Sequence, residues 1–203
     1  MLGGQFLRSR QYLLNLDWGQ VEGEIQEKID SFQSTRDAQE WFLEGVRYNA
    51  NSSTHEDAMH AYRQALRQDP THIEAHINLG ALYYLRRAFN DSKRCFERAL
   101  SSSPEHSRAL YNLGNVSDEL NDPEMAVEYY ERATNADPDF ADAHNNLGVT
   151  LKGLGRLEEA EASYRQAIAL QMGFIRAHRN LAMILREQDR VEEAIESDRY
   201  AIS

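Results

Sequence analysis

One spacing constrains this chain more than any other property. Ala65, Ala99, Ala133, Ala167 and Ala201 recur every 34 residues without a slip. Leu79, Leu113, Leu147 and Leu181 keep the same interval, as do Gly80, Gly114, Gly148 and then Ala182. Tyr62, Phe96, Tyr130 and Tyr164 form a third series, and Pro70, Pro104 and Pro138 a fourth. Self-similarity at a fixed period signifies one supersecondary unit copied along the chain, each copy too small to bury its apolar face alone. Residues 141–170 show the unit plainly. His144, Leu147, Gly148 and Leu151 fall at i, i+3, i+4 and i+7, one face of a 3.6-residue period, and Leu157, Ala160, Tyr164, Ala167 and Ile168 do the same. Gly153 and Gly155 break the chain between the two amphipathic helices.

A helix–turn–helix of this length, with small, large, small and proline residues at fixed offsets, resembles the tetratricopeptide repeat (TPR). The resemblance runs from about Asp37 to the last residue. It implies an all-α, right-handed TPR superhelix, an α-solenoid of five helix-turn-helix repeats (38–72, 73–106, 107–140, 141–174 and 175–203) behind an N-terminal lead segment, 1–37. The first repeat carries one extra residue between Trp41 and Ala58, expected in the polar stretch 49–54, where a loop tolerates it. Asp122-Pro123 reads as an N-cap followed by the first helical residue. Ser92 stands in a position otherwise small and apolar, its hydroxyl free to bond back to helix backbone. Met172 replaces the proline of the fourth series, and Asp198 replaces the aromatic of the third. A charge at that last position predicts a polar surface on the terminal face.

Composition narrows the function. With 41% hydrophobic residues the chain can fill a continuous core, and a formal net charge of −11 argues against nucleic-acid binding, which needs a basic face. Cys95 is the single cysteine, so neither a disulfide framework nor a cysteine-based zinc site is expected. Arg8 and Arg10 interrupt the apolar residues of the N-terminus, and no apolar run approaches a membrane span. The expectation is a cytoplasmic protein with no membrane partner.

No catalytic constellation is apparent, and no cofactor is implied. His76, His144 and His178 share one repeat position, where packing imidazoles are favoured over metal ligands, because equivalent positions in successive repeats do not converge on one ion. His72 and His76 lack the carboxylate of an H-E-x-x-H motif. The glycines are not followed by Gly-Lys-Ser/Thr, and there is no G-x-S-x-G elbow. Cys95, beside Phe96 in a helix, reads as a small buried hydrophobe. The pairs Glu158-Glu159 and Glu192-Glu193 open second helices, where carboxylates suit the positive end of the dipole.

Asn78, Asn112, Asn146 and Asn180 form a fifth series, each one residue before the packed leucine and so rotated about 100° from it. In a TPR array that stripe lines the concave groove. With its flanks it reads Glu74, Ile77, Asn78, Ala81; Arg108, Tyr111, Asn112, Asn115; Asp142, Asn145, Asn146, Val149, Lys152; and Arg176, Arg179, Asn180, Met183. An asparagine both donates and accepts, so a ladder of them can hold a peptide backbone without reading side chains; solvated asparagines with no ligand are the alternative. Candidate peptide-binding residues are Asn78, Tyr111, Asn112, Asn115, Asn145, Asn146, Lys152, Arg176, Arg179 and Asn180, with acidic ligand residues expected near Lys152, Arg176 and Arg179.

The ladder and the segment FADAHNNLGVTLKGLGRLEEAEASYRQAIAL are similar to the TPR arm of O-linked N-acetylglucosamine transferases, which implies a peptide-docking arm. Asn115, Asn146 and Arg176 match positions of the carboxylate clamp in chaperone-binding TPR proteins, while Tyr111 and Asn180 stand where that clamp has basic residues. DAQEWFLEGVRY resembles the opening of TPR regions in bacterial helix-turn-helix regulators. The sequence therefore reads as a non-catalytic scaffold for a protein or peptide. The alternatives are a substrate-recruiting accessory arm of a glycosyltransferase-like enzyme and the interaction half of a transcriptional regulator.

The lead segment carries Phe6, Leu7, Tyr12, Leu13, Leu14, Leu16 and Trp18, then a helical stripe of Val21, Ile25, Ile29 and Phe32. Residues 21–32 are expected to cap the first repeat. Residues 14–18 read as a short extended stretch that folds over this cap or pairs with a second copy in a homodimer. Deleting residues 1–33 should lower solubility and melting temperature if the segment is a cap. A loss of dimer mass with stability retained would mark it as a dimer arm.

Overall fold

The structure, a computed structural model, describes residues 19, 21–24 and 37–202. Residues 21–24 are helical, and the remainder of the expected lead-segment stretch and helix lies outside the described residues. From Ala38 onward ten α-helices follow in five pairs. They are α1 (Ala38–Asn49) and α2 (His55–Gln68), α3 (Ile73–Leu85) and α4 (Phe89–Ser102), α5 (Ser107–Glu119) and α6 (Pro123–Ala136), α7 (Ala141–Gly153) and α8 (Leu157–Leu170), and α9 (Ile175–Glu187) and α10 (Val191–Ile202). Each helix packs on the next in the chain, and neighbouring first helices also meet, α3 on α5, α5 on α7 and α7 on α9. First helices therefore line one side of an α-solenoid and second helices back them.

Within each of the first four pairs a glycine receives an aromatic ring. A Cβ on Gly45, Gly80, Gly114 or Gly148 would lie 2.5, 2.7, 2.4 or 2.7 Å from a ring carbon of Tyr62, Phe96, Tyr130 or Tyr164 respectively. All four rings are essentially fully buried. The ring thus covers its own repeat's glycine as well as reaching the next repeat. In the fifth pair both partners change together. Ala182 fills the place of the glycine, fully buried, and Asp198 replaces the ring and pairs with Arg186. The polar terminal face expected of Asp198 is accordingly a neutralised pair flanked by exposed Val191 and Ile195.

The small-residue series occupy the helix crossings. Ala65, Ala99, Ala133 and Ala167 are fully buried, as are Ala58, Ala126, Ala160 and Ala194. Ser92 joins the second set with its Oγ donating to the Gly80 carbonyl of the facing helix at 2.8 Å, not to its own helix. Burial at a crossing suits a small side chain, and the buried hydroxyl is satisfied by the facing helix's carbonyl.

Turns within pairs repeat one backbone conformation. Arg87, Asn121, Gly155 and Asp189, again 34 apart, take left-handed φ values of 58°, 61°, 76° and 58°. Of the two glycines expected to break the chain, Gly155 makes the turn and Gly153 is the last helical residue of α7. The first pair instead uses a longer link holding a 3-10 turn, Ser52–Thr54, where the extra residue is accommodated. Asp37 forms a reciprocal capping box with Glu40, and Asp122 caps α6 ahead of Pro123. Between pairs, the imidazoles of His76, His144 and His178 lie 2.9, 3.0 and 2.9 Å from the carbonyls of Pro70, Pro138 and Met172. These histidines fasten the link into the first helix, a role that Met172 can serve as well as proline because its carbonyl is what is used.

Introducing a methyl group beneath a buried ring should be destabilising in proportion to how little the ring can move. Gly148→Ala is expected to cost about 1–3 kcal/mol in urea denaturation. In a Tyr164→Ala background the same change should cost much less, so a double-mutant cycle with no coupling would refute the glycine–ring contact.

Candidate functional site: the concave groove

The asparagine series lies along the first helices, and its members are engaged differently. Asn78 donates to the Tyr62 hydroxyl at 3.3 Å, Asn146 to Tyr111 at 3.2 Å and to Asn115 at 2.9 Å, and Asn180 to Asn145 at 3.1 Å. Every one of these bonds crosses to the preceding repeat. Asn145, nearly fully buried, also donates to Asn146 at 3.1 Å. Asn112 makes no side-chain hydrogen bond to any described residue and is half-buried. The ladder thus has an unforeseen first duty, which is to hold adjacent first helices in register. Amide capacity is left over at Asn112, and at the side-chain oxygens of Asn78 and Asn180.

The groove cations divide in the same way. Lys152 lies 3.0 Å from Glu187, and Arg176 lies 2.7 Å from Asp142 and over the Phe174 ring at 5.2 Å. Arg108 pairs with Glu74, which also has His106 at 3.4 Å. The alternation Glu74, Arg108, Asp142, Arg176 at one repeat position therefore makes two ion pairs, each between neighbouring first helices. Arg179 is exposed and has no partner among the described residues.

At the centre of the network stands Asp118, a residue the sequence reading passed over. Its carboxylate accepts from the Tyr130 hydroxyl at 2.9 Å and from Thr150 Oγ1 at 3.0 and 3.2 Å. The Tyr130 hydroxyl also lies 2.7 Å from Asn115 Oδ1, so one phenolic proton serves two acceptors. Burial, with the Asp118 charge adding to it, drives the Tyr130 phenol far above its ordinary range and keeps it a donor. Asp118 is an exposed residue, yet crowding around its carboxylate raises its proton affinity against the two hydroxyl bonds that lower it. A signal existed in the sequence, since the first-helix position held by Tyr84, Lys152 and Arg186 in other repeats is acidic only at Asp118.

Tyr84, Asn115, Asp118, Glu119, Asn121, Tyr130, Asn146 and Val149 line a cavity of about 470 Å³ opening on the groove. Apolar groups stand beside the polar ones. Leu43, Val46, Val149 and Met183 are each about half exposed, the last three at one repeat position. Cys95 is half-buried, packs against the Trp41 cluster, and has its thiol pushed by burial up to about 11. Among the described residues no group of His, Cys, Asp or Glu could hold a metal ion, and no helix is long and apolar enough to cross a membrane.

Glycine–ring contacts, left-handed turns and the asparagine stripe recur along five stacked helix–turn–helix pairs, and such stacked pairs of about 34 residues are the arrangement of a TPR array. Tetratricopeptide repeat models match residues 71–139, 118–173 and 153–203, and a TPR repeat model matches 54–85. The chain belongs to the tetratricopeptide repeat family. Its fold is similar to that of MamA from Desulfovibrio magneticus RS-1 (TM-score 0.72, 21% identity, covering 81% of this chain and 93% of that one). It is also similar to Pseudomonas aeruginosa PilF (TM-score 0.75, 20% identity, 81% and 75%). YrrB, described as a TPR protein with an unusual peptide-binding site, aligns with TM-score 0.67 at 25% identity over 82% and 85% of the two chains. No curated relative matches the chain.

The asparagines differ in what they support, and stability separates them. Asn146→Ala removes the bonds to Tyr111 and Asn115 on α5 and takes away the oxygen to which buried Asn145 donates, which should cost about 1–2 kcal/mol in denaturant unfolding. Asn112→Ala should stay within about 0.5 kcal/mol of wild type. Equal losses for the two would show that Asn112 also carries structure.

Proposed function

We propose that this chain is a non-catalytic scaffold whose concave groove holds an extended segment of a partner protein. The observation that carries the reading is the groove's mixed inner stripe. Among the described residues Asn112 is uncommitted, Asn78 and Asn180 keep spare acceptors, and exposed Val46, Val149 and Met183 recur beside that stripe. An extended backbone presents alternating donors and acceptors every ~3.3 Å, which amide side chains match, and its side chains can cover the exposed apolar groups. First helices about 10 Å apart give each rung roughly three ligand residues. Arg179, exposed and without a partner among the described residues, supports an acidic ligand residue at that end, whereas Lys152 and Arg176 already neutralise Glu187 and Asp142. The peptide-binding description of the structurally similar YrrB supports the same reading.

The test is to purify a partner by affinity capture from the native cell and titrate it against groove and back-face variants. Asn112→Ala should weaken binding by about 0.5–1.5 kcal/mol and Arg179→Ala by about 1.5–3 kcal/mol. Val149→Glu, which places a charge in the stripe, should abolish it. Glu128→Ala, on the exposed side of a second helix, should leave affinity unchanged. Loss confined to the back-face variant would move the site out of the groove.

A further inference from the structure

Five acidic side chains lie on the first helices from α3 to α9: Glu74, Asp118, Glu119, Asp142 and Glu187. Four of them face a cation. Glu74 has Arg108 and His106, Glu119 has Arg87 at 3.6 Å, Asp142 has Arg176, and Glu187 has Lys152. Among the described residues Asp118 alone meets only neutral donors, the hydroxyls of Tyr130 and Thr150. Lys152, the residue that holds the Asp118 position one repeat further on, is committed to Glu187. An ionised carboxylate is an acceptor with about four lone-pair sites, and two hydroxyl protons leave some of them unused.

The surroundings of that carboxylate have the shape and chemistry of a receptor for a long cationic side chain. The cavity of about 470 Å³ is lined by the acids Asp118 and Glu119, by Tyr84 and exposed Val149, and by Asn115, Asn121 and Asn146. Lysine and arginine carry an apolar stem and a charged head, so the stem can lie on Val149 and Tyr84 while the head reaches Asp118. Charge-assisted bonds of this kind are about twice as strong as neutral ones.

We propose that the Asp118 cavity is a specificity pocket that takes a lysine or arginine side chain from the extended partner segment bound in the groove. This rests on the groove reading given above and adds the identity of one ligand residue. Among the described residues no cation neutralises this carboxylate, and partial desolvation of the side chain raises its proton affinity. Removing its charge is therefore compatible with folding, since the amide introduced by Asp118→Asn keeps an oxygen for Tyr130 and Thr150.

The probe is a display library of random nonapeptides selected on the whole chain, followed by titration of synthetic copies of the selected sequences. The expected result is a lysine or arginine at one fixed position. Replacing it with norleucine should weaken binding about tenfold or more, the range of a lost charge-assisted bond. Asp118→Asn should give the same loss with the basic peptide, none with the norleucine peptide, and a melting temperature at or above wild type. Asp142→Asn, at an acid already paired, should leave the preference intact. Selected peptides that are lost on Asn112→Ala or Val149→Glu but show no basic residue, or no dependence on Asp118, would overturn the pocket and leave the groove reading standing. Peptides indifferent to all groove variants, or no peptides at all, would overturn both. Free spermidine binding as tightly as the selected peptides would also overturn it, by making the site one for a small polyamine.

Discussion

The contact on which the rest of the array depends is an aromatic ring lying on a glycine of the same repeat. Bare glycine backbone lets the second helix approach until its ring touches the first helix, and the fully buried alanines at the crossings permit the same closeness elsewhere. A ring carbon within 2.4–2.7 Å of where a Cβ would sit leaves no tolerance, so glycine and ring form one joint requirement. The fifth pair shows this from the other side, because Ala182 appears in the same repeat in which Asp198 has displaced the ring. What looks like two separate substitutions is one packing event.

Close helices in turn bring the inner faces of adjacent repeats into hydrogen-bonding range. The asparagines of one repeat then reach tyrosine hydroxyls and amides of the one before, and acids and bases at a shared position become ion pairs. Such polar ties, half-exposed in a groove, individually contribute little, but they fix the mutual register of first helices and so the spacing of anything bound along them. The groove divides into groups consumed by this framework and groups left over. Among the described residues Asn112 and Arg179 belong to the second set, while Asp118 serves the framework through Tyr130 and Thr150 yet meets no cation, and the proposed ligand contacts fall on these three.

The turns show how a period can constrain backbone without constraining residue type. Four successive links need a left-handed residue, and only Gly155 supplies it without steric cost; Asn121 and Asp189 are tolerated through their short polar side chains, and Arg87 occupies the same conformation beside its contacts with Phe89 and Glu119. Repetition of the surrounding packing overrides local preference. The same logic explains Met172 in a proline position, since the carbonyl that His178 uses belongs to the backbone.

Period, helix faces, caps and the all-α solenoid were legible in the chain itself, because each follows from local rules repeated in phase: apolar residues at 3.6-residue spacing, small residues at crossings, Asp37 and Asp122 at helix starts. The asparagine stripe and its rotation away from the packed leucines were legible for the same reason, while its place on the inner face was what the resemblance to TPR arrays implied. What tertiary structure decided was how those residues are used. Partners such as Asn146 and Asn115, Arg176 and Asp142, or Asp118 and Thr150 lie about one repeat apart in sequence and meet only when helices stack. Which amide is spent and which is free depends on side-chain directions in that stack. That Asp118 meets no cation among the described residues depends on them too, since Lys152, which holds the same position one repeat on, pairs with Glu187. Local pattern fixes what can repeat, and only three-dimensional contact distributes the polar groups between holding the solenoid together and facing a ligand.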